Sequence, residues 1–280
     1  MPRRFLIAAI AAPILGLAGW VGLSTFATER EIAAHEATIR AVAAARPAVV
    51  VSDTEIALLP APVRRYLAFA LPGPVAAQHL ARIEAEGRFR RPKTEGFAAT
   101  TATQTIAIGA PALVFAATTP IVPGIWARAY DFFAEGRMRM KAKILSTLTV
   151  VDEVETEALN RTSLRRWLLE SPLYPTALLP GGPVRWQSID DGHARAVVSG
   201  FGLETSLVAS FGPDGALTAF EAEEDGDLST SYHGSGERAE RSDYRLVAGM
   251  RIPHGFVIAR KAGGHILPFW EGRITSIHHE

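Results

Sequence analysis

The sequence predicts a mainly β protein of the α+β class. Its core is a curved antiparallel half-barrel sheet with a helical plug or lid, preceded by an N-terminal transmembrane helix and a helical stem. Three patterns predict this: a long uncharged N-terminal run, period-two alternation after about Leu80, and one helical interruption near 157–179. We divide the chain into an anchor or signal (1–27), a stem or linker (28–52) and a single β-rich domain (53–280).

The N-terminal run predicts a membrane segment. Arg3 and Arg4 precede an uncharged stretch over residues 5–23, which as a helix spans about 28 Å, close to the hydrocarbon thickness of a bilayer. Arginines before such a run favour a cytoplasmic N-terminus. We expect a single-pass protein of the bacterial inner membrane with a periplasmic domain. The alternative is a cleaved signal peptide and a soluble periplasmic protein.

The segment after this run is predicted to be helical. Residues 28–52 are rich in Ala, Glu and Arg, and Ile32, Ile39 and Val42 recur at near-helical spacing. They predict a helical stem that leaves the membrane, or a solvated linker helix without a specific role.

A short amphipathic helix is predicted near 62–70. Its apolar residues Val63, Tyr66, Leu67 and Ala70 fall at positions i, i+3, i+4 and i+7, which share one helix face. We expect this face to pack on the domain.

Period-two alternation is clearest at residues 137–144, where Met138 and Met140 alternate with basic residues. A strand here has one apolar and one cationic face. Ala248-Gly249 predicts a hairpin turn, since glycine tolerates the positive φ that such turns require. His254 then lies in a strand of that hairpin and not in a catalytic loop.

The helical segment near 157–179 interrupts the strand pattern. It has Leu164, Trp167 and Leu168 on one face, so it must lie against an apolar surface. The concave side of the sheet is the natural place, which makes the segment a plug or lid.

Composition and motifs exclude several function classes. The chain has 29 Lys+Arg and 29 Asp+Glu, without the basic excess of a nucleic-acid binder. It has no cysteine, which excludes disulfides and thiolate metal sites. No nucleotide-binding, nucleophile-elbow or zinc-helix motif occurs. His278 and His279 would point to opposite faces of a strand, and we expect a frayed tail there. We expect no cofactor and no metal. The patterns favour a function without catalysis, but they leave the question of an enzyme open, because catalytic residues can assemble from distant parts of a chain.

Four blocks in order, LPAPVRRYL, SPLYPTALLPGGPVRW, SDYRLVAGMRIPHG and FWEGRITSI, resemble an uncharacterised bacterial domain-of-unknown-function family. That resemblance implies no activity. The DYR and GMRIP segments of the third block are similar to the periplasmic lipoprotein carriers of the LolA/LolB type and related lipid binders. This likeness implies a curved antiparallel sheet around a helix, with an apolar cavity for acyl chains.

The candidate site is an apolar lining with a polar rim. Met and aromatic side chains suit adaptable apolar pockets, while Arg and Glu at a rim could hold an anionic head group or simply pair with each other. We predict a membrane-tethered module that binds a lipid or acyl chain. The alternatives are an envelope scaffold or assembly factor with a packed interior and, third, an envelope hydrolase that uses Glu271 or Asp243. The predicted lining is Trp126, Tyr130, Phe132, Met138, Met140, Trp167, Tyr174, Trp186 and Phe256, and the predicted rim is Arg245, Glu271 and Arg273.

Overall fold

The computed structural model describes residues 2–46, 51–91, 94–228 and 236–280, with side chains from Pro13 onward. Its helices and strands follow the order of the chain. The helices are α1 (Pro2–Ala44), α2 (Asp53–Ala57), α3 (Ala61–Ala70) and α4 (Glu157–Glu170). The strands are β1 (Leu80–Arg90), β2 (Phe97–Ala107), β3 (Ala112–Val122), β4 (Ile125–Ala134), β5 (Arg137–Ile144), β6 (Leu148–Val154), β7 (Val184–Ser188), β8 (His193–Gly200), β9 (Leu203–Phe211), β10 (Leu217–Glu221), β11 (Arg238–Val247), β12 (Met250–Ala262) and β13 (His265–His279).

Within the described residues, all thirteen strands form one antiparallel sheet in the order β6-β5-β4-β3-β2-β1-β13-β12-β11-β10-β9-β8-β7. β6 and β7 are its edges, and no ladder joins them in this part of the chain, so the sheet is not closed. The mainly β, antiparallel prediction is confirmed. The predicted frayed tail is wrong, because β13 continues to His279, which pairs with Ala81 of β1.

Two glycines face each other in the middle of the sheet, where the backbones of β1 and β13 approach closely. Gly87 of β1 pairs with Gly272 of β13. A Cβ on Gly87 would lie 2.1 Å from the carbonyl oxygen of Glu271, and one on Gly272 would lie 2.2 Å from that of Glu86. Both distances are far below any real Cβ contact, so only glycine fits. Glycine inside a strand often marks a place where another backbone approaches closely.

Helix α4 lies on one face of the sheet, which we call the inner face. Its Trp167 is fully buried and donates a hydrogen bond from Nε1 to the carbonyl oxygen of Ala107 in β2, at 2.8 Å. Arg241 of β11 donates to the carbonyl oxygen of Leu169, at 2.9 Å. Strands that are four positions apart in the sheet therefore both reach α4, and the sheet curves around it.

The chain leaves α4 through two 3₁₀ turns, Ser171–Leu173 and Pro175–Leu178. With α4 they coincide with the segment whose helical pattern the sequence shows. α3 likewise coincides with the short amphipathic segment, and its buried residues include the four apolar positions of the predicted face.

Helix α1 packs on the opposite, outer face of the sheet. Ile32 contacts Ala116 and Tyr130, and Ile39 and Ala43 pack in a cluster with residues of β1 to β4. α1 is one continuous helix that joins the predicted anchor to the predicted stem. The stem was expected to leave the membrane or to be a solvated linker helix. The solvated alternative is wrong, because an apolar stripe at helical spacing packs the helix against the sheet. Residues 47–50 of the predicted stem lie outside the described residues.

In the described part of the chain, no helix combines the length and hydropathy that crossing a bilayer requires. The predicted N-terminal transmembrane helix is therefore not supported. Side chains 1–12, which belong to the predicted anchor, lie outside the described residues.

Candidate functional site

A cavity of about 80 Å³ lies between α4 and the inner face of the sheet. We call it the inner cavity. Its wall is mainly aromatic and aliphatic, with a few polar groups. The large apolar side chains are Phe89, Phe115, Met140, Leu169, Ile258, Phe269 and Trp270, the polar residues are Thr100, Thr119, Asp131, Arg166 and Glu170, and Ala117, Ala129 and Tyr130 also border the cavity.

Strand geometry explains most of this wall. Side chains of a strand alternate between its two faces, which turns Phe89, Phe115 and Met140 inward from three strands. A bulge adds an extra aromatic ring: Ile258 pairs with Trp270 and Ala259 pairs with Pro268, so Phe269 is the extra residue of a β-bulge in β13. A bulge changes the direction of its side chains. Both Phe269 and Trp270 are buried and border the cavity.

Two buried ion pairs hold α4 above the cavity. Arg166 of α4 pairs with Asp131 of β4, and its guanidinium carbon lies 4.3 Å from the centre of the Phe115 ring. Glu170 accepts a hydrogen bond from Arg241 of β11 at 2.8 Å. Burial raises the pKa of Asp131, and the nearby Arg166 offsets this only in part. Charges this deeply buried require partners.

The polar wall is suited to holding the helix in place. The charged residues of the cavity, Asp131, Arg166 and Glu170, are all engaged in ion pairs. Thr100 and Thr119 share a hydrogen bond of 2.8 Å between their hydroxyls. In the described residues no three His, Cys, Asp or Glu side chains are placed to share a metal ion. The arrangement can bind an apolar group, and it offers no nucleophile with an adjacent base.

A second, open depression of about 790 Å³ lies over the paired glycines Gly87 and Gly272, and we call it the outer groove. Glu271 and Arg273 border it, as does Phe256. Glu271 pairs with Arg88, and Arg273 pairs with Glu86, in both cases across the β1–β13 ladder. The two predicted rim residues therefore lie together at a groove but have separate partners.

The third predicted rim residue lies elsewhere. Arg245 is exposed and pairs with Asp243, with Nη2 and Oδ2 2.6 Å apart. It borders neither the inner cavity nor the outer groove. Arg245 and Asp243 form a surface ion pair of the β11–β12 hairpin.

The cationic face of β5 is covered by α1. Lys141 and Lys143 lie 2.9 Å and 3.8 Å from the carboxylate of Glu31, and Arg128 of β4 makes two hydrogen bonds to Glu29 at 2.8 and 2.9 Å. Partial burial would raise the pKa of Glu31, but the Tyr130 hydroxyl and the two lysines lower it overall. These basic side chains of β4 and β5 therefore hold α1 on the outer face through Glu29 and Glu31 of the helix.

The structure divides the predicted lining among several places. Met140 borders the inner cavity, and Tyr130 does so while its ring faces α1, 5.5 Å from the ring of His35. Phe132 stacks on the same His35 ring at 4.1 Å. Neighbouring positions of β4 point to opposite faces, so Trp126, Tyr130 and Phe132 share the outer face. Tyr130 also borders the inner cavity with Met140, whereas Trp126 and Phe132 do not. Met138, Trp167 and Tyr174 are packed in the main core, Trp186 is half-buried beside it, and Phe256 lies against Trp270 and borders the outer groove.

Most of the cavity wall was missed from the sequence. Phe89 and Phe115 sit in alternating segments, which give a signal for strands but do not show which face is inner. Leu169 and Glu170 lie at the end of α4, beyond the predicted apolar face. The bulge at Phe269 depends on the pairing of β12 with β13, and no local pattern indicates it.

Comparisons with known proteins give a family and one distant structural likeness. The model of a family of unknown function, DUF6920, matches residues 57–279. A crystal structure of a β-barrel-like protein of the domain of unknown function DUF1849 from Brucella abortus is similar at 12% identity, over 74% of this chain and 100% of that chain, with a TM-score of 0.27. That score supports no argument about fold or function. No curated protein matches the chain.

Proposed function

We propose a function that rests on the inner cavity, because the chain belongs to DUF6920 and this family has no known function. The protein is a module that binds an apolar ligand, a lipid or acyl chain, between the sheet and α4. It acts at a membrane on the periplasmic side, with α1 as its tether. The similarity of one hairpin to the LolA/LolB carriers, noted from the sequence, points to the same ligand class.

The cavity wall is the observation that carries the proposal. Seven apolar side chains surround a space between a curved sheet and a helix, which is where many proteins bind lipophiles. Burial of a ligand's apolar surface there contributes about 25 cal/mol per Å².

The cavity is small, and this limits what it holds at rest. Its volume of about 80 Å³ is below the ~300–1,000 Å³ of pockets for drug-sized ligands. It takes the end of an acyl chain, and a longer chain requires the wall to move. Met140 can do this because an unbranched thioether adapts to irregular spaces.

A scaffold with a packed interior is the second candidate. It is favoured by the fully buried Trp167, Leu164 and Leu168, which fill the space between α4 and the rest of the sheet. In that case the inner cavity is a packing defect without a ligand.

A cavity-filling variant separates the two candidates. Ala117 borders the inner cavity and Ala99 borders the outer groove, so Ala117→Leu and Ala99→Leu add the same group at two places. The probe is a dansyl-labelled fatty acid, with mass spectrometry of the organic extract of membrane-purified protein beside it. We expect Ala117→Leu to weaken probe binding at least about tenfold, or ~1.4 kcal/mol, and to deplete any co-purified lipid.

The Ala99→Leu control should keep both signals. Equal probe binding by the wild type and Ala117→Leu, with both folded, would favour the packed scaffold. Loss of binding in Ala99→Leu alone would place the ligand in the outer groove and refute the proposal.

A further inference from the structure

Three turns and the first part of α1 lie at one end of the sheet. The strands are antiparallel, and Arg90 pairs with Phe97, Val122 with Ile125, and Ile144 with Leu148. Turns after alternate strands reach the same end, so the β1–β2, β3–β4 and β5–β6 turns lie together. We call this the tip end.

The tip end exposes apolar side chains. Val122 and Ile125 flank the β3–β4 turn and are 52% and 38% exposed, while Leu148 and Val150 follow the β5–β6 turn at 61% and 52%. Exposed apolar clusters mark contact surfaces.

Helix α1 extends past the same end. Thr28 is buried, its hydroxyl 3.1 Å from the ammonium of Lys143 and close to the β5–β6 turn at Ser146. Each described residue from Pro13 to Trp20 is exposed. Trp20 lies eight residues before Thr28, about 12 Å further along the helix. The exposed large apolar side chains of this part are Ile14, Leu15, Leu17, Trp20, Leu23 and Phe26.

Basic residues flank the apolar tips on the β1 side. The guanidinium groups of Arg88 and Arg90 lie 5.4 and 4.6 Å from the ring centre of Phe97, and Arg91 is exposed. Glu95 is the exposed acidic residue in the described part of this turn. Amphipathic surfaces with Arg and aromatic residues bind the interface of anionic membranes.

An acidic segment of this end lies on the β12 side. Asp225, in the segment after β10, accepts a hydrogen bond from the backbone nitrogen of Gly263 in the β12–β13 turn, at 2.7 Å. Glu223 and Glu224 precede it. Charge is therefore divided, with the basic residues beside the apolar tips and the acidic segment beyond β13.

We propose that the tip end rests on an anionic lipid surface, as a contact additional to α1. The strand ends that flank the β1–β2, β3–β4 and β5–β6 turns face the lipid, and the acidic segment is tilted away from it. One part of the inner cavity wall lies toward this end, since Phe89 is the penultimate residue of β1 and pairs with Trp270. A ligand drawn from the lipid surface then has a short path to the cavity.

Position-specific labelling of the full chain tests this contact. The chain has no cysteine, so Pro123→Cys in the β3–β4 turn and Glu135→Cys in the β4–β5 turn each give one site for an environment-sensitive NBD fluorophore. Both positions are exposed and lie at opposite ends of β4, about 30 Å apart. The proteins are added to vesicles of phosphatidylcholine, with or without phosphatidylglycerol.

We expect the label at position 123 to shift to shorter wavelength on vesicles with phosphatidylglycerol, while the label at 135 stays as in water. Arg91→Ala should reduce partitioning onto these vesicles roughly fivefold, because each basic residue near an anionic surface contributes about 1 kcal/mol. Arg185→Ala, an exposed arginine of the β7 edge, is the matched control and should not change it.

Three results would overturn the proposal. The first is a failure of the full chain to bind the vesicles. The second is a label at position 123 that behaves like the label at 135 on bound protein. The last is a shift of the label at 123 that high protein concentration produces without vesicles. The last result would indicate self-association of the tips. None of these depends on the fatty-acid probe, so the lipid contact and the cavity ligand can fail separately.

Discussion

The buried ion pair between Asp131 and Arg166 gives the sharpest test of how α4 is held. The side chains are 9% and 6% exposed, so removing one partner leaves the other charge in a place that water hardly reaches. Asp131→Leu or Arg166→Met should each lower the free energy of unfolding by about 3–5 kcal/mol, the range for a broken buried pair. In a chain of this size each kcal/mol shifts Tm by roughly 2–4 °C.

The double variant Asp131→Leu/Arg166→Met should behave differently from either single one. Replacing a buried pair with apolar side chains of similar size is often neutral or stabilising by about 1–4 kcal/mol. We therefore expect the double variant to lie close to the wild type, with a coupling energy of at least about 3 kcal/mol.

The assay is urea unfolding of the four proteins, followed by circular dichroism and tryptophan fluorescence. Arg185→Met is the control, because its pair with Glu204 is more than half exposed and such pairs contribute at most about 1 kcal/mol. A double variant as unstable as the single ones would refute the reasoning. So would an Asp131→Leu variant no less stable than the control.

Two further predictions concern the close contact of β1 with β13 at Gly87 and the interface between α1 and the sheet. Gly87→Ala should destabilise the protein by about 3 kcal/mol or more, since its Cβ would meet backbone at 2.1 Å, whereas Gly96→Ala, in open space, should change Tm little. Burial, with help from nearby Arg139 and Lys141, lowers the pKa of His35 below 6.5. Neutral His35 thus contributes stability above pH 6.5 that is lost as the pH falls toward its folded pKa. The protection factors of the α1 amides, taken relative to the intrinsic exchange rate at each pH, should fall from about pH 7 to pH 5 in the wild type and much less in His35→Phe; an equal fall in both proteins would contradict this.

Local patterns predicted the elements that depend on local geometry. Alternation of Met138 and Met140 with basic residues marked β5, and the spacing of Val63 and Tyr66 marked the buried face of α3. The Ala248-Gly249 turn has the positive φ values, 47° and 83°, that its residues suggest. In each case neighbouring residues carry all of the information.

The face of the sheet on which a residue lies could not be predicted in the same way. Alternation shows that Tyr130 and Phe132 share a face, but only the position of α1 shows that this face is the outer one. The stem part of α1 was expected to leave the membrane or to be solvated, because its acidic residues look like an ordinary solvated stripe until Lys141 and Arg128 are placed opposite them. The pairing of Gly87 with Gly272 likewise depends on residues that are far apart in the chain.

The buried charges of α4 also explain why a cavity persists there. An apolar pair at Asp131 and Arg166 would stabilise the fold about as well, so the charges are not needed for stability. They fix α4 at one position, because Arg166 is tied to β4 while Glu170 is tied to Arg241 of β11 on the other side of the cavity. A helix held at both sides cannot settle onto Phe89 and close the space. If the double apolar variant is stable but no longer binds the fatty-acid probe, the ion pairs serve the cavity more than the fold.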